Sequence, residues 1–219
     1  MQLGTFEKED WLYRALNGHT IVFDKNMCNK LTTMTYGADV AVKICHLIGK
    51  ELALGEAYHI ATDEPLSWGQ VINKYCDILE LKLGYRAKVI FSDDIIKLLD
   101  ITSGQYQIKY DRMFDRKFNC NKINSFDMDG EYSSFDNSIS KCIDQFICDP
   151  KFNSINWKNH ALMDRFAKEK MSLKAISGCK NKVIYYAYRY INKNVAKIMI
   201  KVMSVVIGTI NKIYEKICK

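Results

Sequence analysis

The stretch GEAYHIATDEPLSWGQVINKY, residues 55–75, carries the clearest local signals for a fold in this chain of 219 residues. Ser67 is followed three residues later by Gln70, which is the spacing of a capping box. In that motif the hydroxyl accepts a backbone N–H and the amide reaches back to the cap residue. Pro65 holds the preceding residue in extended backbone and so fixes how the chain enters. The pattern predicts a helix that begins at Trp68.

Residues on either side of the capping box complete a strand, a loop and a helix. Apolar side chains recur at helical spacing through about Leu81, and Gly84 is placed to end the helix in a left-handed conformation. Upstream, Ala57–Ala61 (AYHIA) is a candidate strand. The apolar side chains that we expect the helix to bury are Val71, Ile72, Tyr75, Ile78 and Leu79.

Further helices and strands are predicted on both sides of this unit by the same periodicity. They are a helix at Glu7–Asn17, a strand at His19–Phe23, a helix at Tyr36–Leu52, a strand at Lys88–Phe91, a helix capped by Ser92 that runs to about Asp100, a strand at Lys117–Ile123 and a helix at Phe135–Ile147. Helices and short strands alternate from residue 19 to about residue 100. This alternation indicates an α/β layer.

Charge divides the chain into two parts. Residues 1–150 carry 17 Lys and Arg against 22 Asp and Glu, whereas residues 151–219 carry 15 against 3. The net charge of +7 therefore belongs to the last third, which argues against a uniformly basic nucleic-acid-binding domain. A hydrophobic content of 48% is typical of a globular chain. We expect a first domain at 1–150 and a basic helical extension at 151–219.

Eight cysteines are scattered without a C-x-x-C pair, which indicates free thiols in a reducing cytoplasm. The first 20 residues lack the apolar core of a secretory signal. No run of 18 apolar residues is free of charge, so we expect no membrane-spanning helix. The expected location is the cytoplasm, with peripheral contact at the inner face of a membrane.

The motifs of nucleotide-cofactor enzymes are absent from the chain. Its eleven glycines form no G-x-G-x-x-G and no P-loop, and none of its thirteen tyrosines has a lysine four residues later. The four histidines are dispersed and are read as packing or surface residues. We therefore predict no catalytic residue, no cofactor-binding residue and no metal ligand in this chain.

Four segments nevertheless resemble the C-terminal half of the extended short-chain dehydrogenase/reductase family, whose members are NAD-dependent epimerases and dehydratases acting mostly on nucleotide sugars. The first is the predicted helix and strand at WLYRALNGHTIVF, residues 11–23. TYGADVA at 35–41 is similar to the family's aromatic–x–x–Asp–Val–Ala helix start. GEAYHIATDEPLSW at 55–68 is similar to its Gly–x–x–Tyr–Asn–Ile … Ser–Trp strand, loop and helix, and FNCNKI at 118–123 to its Phe–Asp–x–Ser–Lys. The likeness covers about residues 5–150.

The resemblance implies an α/β fold that is the C-terminal portion of a partial Rossmann-type architecture, with short strands and helices. The residue pattern of the tail itself adds a long C-terminal amphipathic helix. The resemblance also implies a nucleotide-sugar substrate and an NAD(P) cofactor. The family's Gly-rich loop and catalytic Tyr–Lys pair lie in the N-terminal half, so a truncated gene product or a separate chain supplying the Rossmann half are the two expectations. By either expectation the isolated chain has no turnover.

The resemblance places the substrate phosphates beside Arg112 and Arg116, whose guanidinium forks fit a diphosphate. The alternative is that both pair with nearby aspartates on a solvated loop. Lys122 is either a further substrate-binding residue or a support for its turn. Asp39 is expected to cap a helix rather than to catalyse, and Trp68 to belong to the core rather than to stack on a sugar.

The basic tail predicts a single amphipathic helix over 183–218, up to ~36 residues long. Its lysines fall within about 140° of arc, opposite valines, isoleucines and methionines. This pattern suits the surface of an anionic membrane. It also suits packing against protein, either its own domain, the missing half or a second copy, and a calmodulin-like partner; nucleic acid fits it least. The alternative function is thus a non-catalytic protein that docks on a membrane or partner through this helix.

Overall fold

A computed structural model describes residues 6–99, 105–126 and 131–217 of the chain. The chain is a mixed α/β protein that is mostly helical, 59%, with a few short strands. It divides into two compact units, Met1–Asn153 and Ser154–Lys219. The ends of two predicted helices, at Asp100 and Cys218, lie outside the described residues.

The regular elements follow in chain order. The α-helices in the described ranges are α1 Tyr13–Leu16, α2 Gly37–Leu47, α3 Trp68–Leu83, α4 Ile95–Leu99, α5 Gln105–Gln107, α6 Asn121–Asn124, α7 Phe135–Cys148, α8 Trp157–Ala167, α9 Cys179–Tyr190 and α10 Lys193–Ile217. The strands in the same ranges are β1 Ile21–Asp24, β2 Leu31–Thr32, β3 Leu66–Ser67 and β4 Val89–Ser92. Wider π turns cover Phe6–Leu12 and Ile108–Arg112, and 3-10 turns cover Lys25–Met27, Glu51–Ala53 and Leu173–Ala175.

The capping box predicted at Ser67 and Gln70 is present at the start of helix α3. The Gln70 N–H donates to the Ser67 hydroxyl at 3.1 Å, and the Ser67 N–H donates to the Gln70 side-chain oxygen at 2.8 Å. Gly84 ends the helix with φ of 74°, in the left-handed region where a side chain would be strained. The helix buries all five of the predicted apolar residues.

Two small sheets flank α3 in the sequence. Strands β1 and β4 pair in parallel, with Ile21 opposite Val89, and β2 and β3 pair antiparallel, with Leu31 opposite Ser67. Parallel pairing brings the carboxyl ends of β1 and β4 to the same edge. All four residues of β1 are buried, as is usual for a parallel strand.

The core of the first unit is built from aromatic rings around α3. The Trp11 ring meets Trp68 edge-on at 6.2 Å and Tyr75 edge-on at 6.1 Å, and it lies 5.2 Å from Phe23. Edge-to-face pairs of this kind add to the stabilisation from burial. The Trp68 side chain is 1% exposed, so it belongs to the core as expected.

The predicted strand at Ala57–Ala61 is wrong. This segment has no regular secondary structure. Its first carbonyl, that of Ala57, accepts a hydrogen bond from the Lys122 Nζ at 3.1 Å rather than from a neighbouring strand. The side chains of Tyr58 and Ile60 pack on a small cluster that includes Ile123. The segment is therefore held by side-chain contacts and not by a ladder.

The strand predicted at Lys117–Ile123 is also wrong, because the chain turns into α6 at Asn121. The Asn121 N–H donates to the Asn119 side-chain oxygen at 2.9 Å. Such local side-chain bonds compete with strand ladders. The helix cap predicted at Ser92 is wrong as well. Ser92 lies in β4, and the Asp94 side chain accepts the Lys97 N–H at 2.8 Å.

The single helix predicted for the tail is wrong in one respect, because α9 and α10 are separated at Ile191 and Asn192. The Asn192 side-chain oxygen accepts the Asn194 N–H at 3.0 Å, as an N-cap does. The Ile191 carbonyl instead accepts an Arg165 guanidinium N–H at 2.6 Å. Within the described part of the chain, no helix is both long enough and apolar enough to cross a membrane.

A buried polar cluster holds the second unit together. The Tyr185 hydroxyl donates to the Asp164 carboxylate and accepts the Met171 N–H at 2.6 Å. Burial and the adjacent Asp164 raise the pKa of Tyr185 above its ordinary value. The hydroxyl thus remains neutral and links α9 to α8 and to the turn that follows it.

Candidate functional site

A polar cleft of about 410 Å³ opens in the first unit. Its lining residues are Thr33, Thr62, Asp63, Pro65, Lys117, Phe118, Asn119, Cys120 and Asn121. Small-molecule sites in proteins have volumes of roughly 300–1,000 Å³. The cleft is therefore large enough for a mononucleotide or a sugar phosphate.

One wall of the cleft is fixed by the segment that precedes Lys117. The Leu31 N–H donates to the Asp115 carboxylate at 2.9 Å, and the Arg116 N–H donates to the Leu31 carbonyl at 2.9 Å. The Thr33 hydroxyl donates to the Arg116 carbonyl at 2.9 Å. These bonds hold the 115–116 backbone along β2, so Lys117 and Phe118 follow at a defined position.

Lys117 and Phe118 supply a cation and an aromatic surface. Both side chains are exposed. The Phe118 ring meets the His59 ring edge-on at 5.3 Å, which restrains its orientation. An ammonium group next to an aromatic face can bind an anionic group and a flat ring of the same ligand.

Further lining residues come from the loop before β3. The Thr62 N–H donates to the Thr35 hydroxyl at 3.1 Å, and the Thr62 hydroxyl accepts the Glu64 N–H at 3.3 Å. These bonds fix Thr62 and present its hydroxyl beside Asp63. Hydroxyl and carboxylate groups of this kind are the partners that sugar hydroxyls use.

Arg116, one of the three predicted substrate-binding residues, is held by its own chain. Its guanidinium lies 2.9 Å from the Asp111 carboxylate and donates to the Thr32 hydroxyl. Its guanidinium carbon lies 5.8 Å from the centre of the Trp68 ring. The side chain is half-buried and does not belong to the lining of the cleft.

Arg112 lies deeper than Arg116. The side chain is 4% exposed, and its guanidinium carbon stands 4.7 Å from the centre of the Trp68 ring. Stacking of this kind is a stabilising cation–π contact when both groups are desolvated. Arg112 also borders a separate apolar cavity of about 30 Å³ beside Asp24 and Trp11, which is too small for a substrate.

Lys122 braces the start of α6. Its Nζ donates to the Glu56 carboxylate and to the Ala57 carbonyl, and it lies 4.8 Å from the centre of the Tyr58 ring. The hydrogen bond from Lys122 lowers the pKa of Glu56 below its ordinary value. Of the three predicted residues, Arg112 and Arg116 both lie against the Trp68 ring. Lys122 contacts Glu56 and Tyr58 instead, so the three side chains do not converge on one point.

Asp39 joins two distant parts of the first unit. It lies in the first turn of α2, where an acidic side chain is favoured by the helix dipole. Its carboxylate accepts the Ser133 N–H at 2.8 Å and the Ser133 hydroxyl at 3.1 Å. The expected helix cap is wrong, because Tyr36 is the cap residue of α2 and no side chain caps that end of the helix. Asp39 instead fixes Ser133, ahead of α7.

The described residues do not fit the dinucleotide that the resemblance implies. Pyrophosphate binds where a strand leads through a Gly-rich turn into a helix. At the carboxyl end of β1 that place is taken by Asp24, whose carboxylate accepts the Asn26 and Ile95 N–H groups at 2.8 Å each. A carboxylate at this place would repel a pyrophosphate.

The cleft residues that the sequence did not single out as substrate-binding include Lys117, Phe118, Thr33 and Thr62. One signal was available for two of them, because Lys117 directly follows the predicted Arg116 and Phe118 opens the FNCNKI segment. No signal pointed to Thr33, which reaches the cleft only through the pairing of β2 with residues 115–116. Comparison with known proteins adds nothing to this picture: no family model, no curated protein and no solved structure matches the chain.

Proposed function

We propose that this chain is the substrate-binding portion of an NAD-dependent nucleotide-sugar epimerase or dehydratase of the extended short-chain dehydrogenase/reductase type, and that the cleft beside Lys117 receives the nucleotide sugar. Its fold would then be the C-terminal part of a Rossmann-type architecture. The chain would act in the cytoplasm, where nucleotide sugars are handled in reducing conditions. The seven cysteines within the described residues, all free thiols, suit that compartment.

One observation carries the proposal. Two segments that resemble the family, GEAYHIATDEPLSW and FNCNKI, lie about 50 residues apart in sequence and line the same cleft. The first contributes Thr62, Asp63 and Pro65, and the second contributes Phe118 to Asn121. Nothing in the local pattern of either segment requires that they meet. Their meeting at a polar cleft is what a shared substrate would need.

The lining chemistry suits a nucleotide sugar. Lys117 would neutralise a phosphate, the Thr33 and Thr62 hydroxyls and Asp63 would bind sugar hydroxyls, and the Phe118 ring would contact the base or sugar face. Arg116 can add a second cation only if it leaves Asp111, and Lys122 only if it leaves Glu56. In the free chain both residues position the cleft segment, and Arg112 supports it from behind through Trp68.

Binding is tested with UDP-glucose and dTDP-glucose by titration calorimetry on the full chain. Lys117→Gln removes a charged partner of the phosphate, which is worth about 1.5–3 kcal/mol, so we expect Kd to rise about tenfold or more. Lys109→Gln is the matched control, since Lys109 is exposed, carries the same charge and does not line the cleft. Absence of saturable binding, or an equal loss of affinity in the Lys117→Gln and Lys109→Gln variants, contradicts the proposal.

Activity gives a second measurement. The purified chain incubated with NAD and UDP- or dTDP-sugars should give no epimerised or dehydrated product, because the residues at the β1 edge do not fit the cofactor. Adding a chain that carries a dinucleotide-binding half is expected to be necessary. Product formed by the isolated chain would show that a cofactor site exists in it.

A further inference from the structure

Helix α10 presents an uncovered apolar strip. Five large apolar residues in its described part are each half exposed or more: Val195, Ile198, Val202, Val205 and Val206. At 3.6 residues per turn they fall within about 100° of arc along about 17 Å of helix. Contiguous exposed strips of this kind mark interaction surfaces rather than ordinary solvent-facing residues.

A different side of the same helix packs against the protein. Ala196 is fully buried, and α10 contacts α9 within the second unit. At 100° per residue Ala196 lies about 120° from Val202, the centre of the strip. The contact with α9 therefore holds α10 in place and leaves the strip open.

Lysines border the strip on its other side. Lys193, Lys197 and Lys201 fall within about 80° of arc, and Lys201 lies about 40° from Val205 at the edge of the strip. Lys197 and Lys201 are exposed. Long lysine side chains can extend their ammonium groups outward while their stems lie on apolar surface.

The charge of α10 decides between two occupants of the apolar strip, a second copy of the chain and an anionic bilayer. Residues 193–206 contain no acidic residue, and residues 151–219 carry a net charge of +12. If two copies paired through the strip, their lysine rows would approach each other, and no acid on this stretch of helix could neutralise them. An anionic bilayer supplies both components at once: phosphates for the lysines and acyl chains for the strip.

We propose that α10 is a docking helix that lies in the plane of an anionic lipid bilayer, with Val195, Ile198, Val202, Val205 and Val206 below the headgroups and its lysines at headgroup level. The described part of the chain holds no membrane-spanning helix, so attachment is to one surface. The inference is independent of the nucleotide-sugar proposal, because it uses only residues of the second unit.

The test is cosedimentation of the full chain with vesicles. Vesicles of phosphatidylcholine alone are compared with vesicles in which about a third of the lipid is phosphatidylglycerol. We expect binding to the anionic vesicles at least tenfold tighter than to the neutral ones. Ile198→Ser with Val202→Ser should reduce that binding at least tenfold, and Lys197→Gln with Lys201→Gln should reduce it severalfold.

The control removes the same charge elsewhere in the unit. Lys170→Gln with Lys174→Gln changes two exposed lysines outside α10 and should leave vesicle binding within twofold of the original. Equal loss in the control and in the α10 lysine variant would overturn the proposal, since net charge alone would then explain binding. So would a chain that ignores anionic vesicles, or that dimerises through the strip in sedimentation without lipid.

A measurement without variants covers the case in which a substitution disturbs folding. Hydrogen–deuterium exchange of the wild-type chain is recorded with and without anionic vesicles. Amides in 193–206 should exchange more slowly with the vesicles, and those of α3 should not change. Unaltered exchange in α10 at a lipid concentration that sediments the chain would refute the proposal. Double-stranded DNA added as a competitor should not release the chain, and release would point to nucleic acid instead.

Discussion

Replacing Asp24 with Asn should show how strongly one buried carboxylate holds the first unit. Asp24 ends β1 and is 1% exposed. One of its oxygens accepts the Asn26 N–H at 2.8 Å and the other accepts the Ile95 N–H at 2.8 Å. The Asn26 side-chain amide in turn donates to the Asp93 backbone carbonyl at 2.6 Å. The single side chain therefore joins the end of β1 to the start of α4.

The size of the effect follows from the number of acceptors. An Asn side chain has one oxygen, so one of the two backbone N–H groups must face an NH₂ group and lose its partner. A hydrogen bond to a charged group contributes about 1.5–3 kcal/mol, and an unsatisfied buried donor costs about 1–3 kcal/mol. We expect a loss of about 3 kcal/mol. For a protein of this length that lowers Tm by roughly 6–12 °C.

The assay is thermal unfolding followed by circular dichroism, with urea unfolding as a second measure of the free energy of unfolding. Asp93→Asn is the matched control, because Asp93 is exposed, lies next to the same turn and loses the same charge; its Tm should change by less than about 2 °C. If Asp24→Asn unfolds at or above the wild-type Tm, the relief of burying a charge outweighs the lost acceptor. The reasoning from acceptor number would then be refuted.

Two further predictions concern single side chains. Tyr185→Phe removes the hydroxyl that donates to Asp164, so the second unit should lose about 2 kcal/mol of unfolding free energy by urea titration; Tyr186→Phe, with a partly exposed ring, should lose almost none, and equal losses would contradict this. Burial raises the pKa of the Cys76 thiol to about 11, so its reactive thiolate is scarce at neutral pH and grows only as pH approaches that value. In native protein at neutral pH, iodoacetamide labelling read by mass spectrometry should therefore modify exposed Cys45 well before Cys76, and comparable rates would refute the assignment.

Local signals made α3 predictable from sequence. The capping box, the spacing of its apolar residues and Gly84 each act within a few residues of the helix, and all three operate in the structure. The break at Asn192 was equally local but was overlooked, since an Asn within an amphipathic pattern reads as a polar position until its side chain caps the next helix. Helix periodicity alone does not distinguish these two uses of Asn.

The strand predictions failed where pairing is a long-range property. Ala57–Ala61 has the residues of a strand but meets Lys122 and a side-chain cluster in place of a partner. β1 and β4 were predictable because both are short apolar runs, yet their parallel register depends on contacts about 70 residues apart. A β-ladder needs two strands. The residue pattern of one strand cannot show whether a partner strand lies beside it.

The same limit applies to the cleft. The Arg116–Asp111 pair, five residues apart, was foreseeable as an alternative to phosphate binding. Thr33 could not be placed near Lys117 from sequence, because their approach depends on the bond between the Arg116 N–H and the Leu31 carbonyl. Sequence therefore identified a segment that contributes to the cleft but not the residues that line it.

The opposite charges of the two parts of the chain mean that the two proposed sites attract anions by different physics. Residues 1–150 carry a net charge of −5, so the field of that part repels a nucleotide sugar, and any affinity must come from close contacts such as Lys117 in a shaped cleft. Residues 151–219 carry +12, and α10 can attract a bilayer over a distance set by the Debye length, about 8 Å at physiological salt. Added salt would thus weaken the bilayer contact steeply and the cleft contact little. A chain built for one anionic ligand would have no reason to separate its charges in this way.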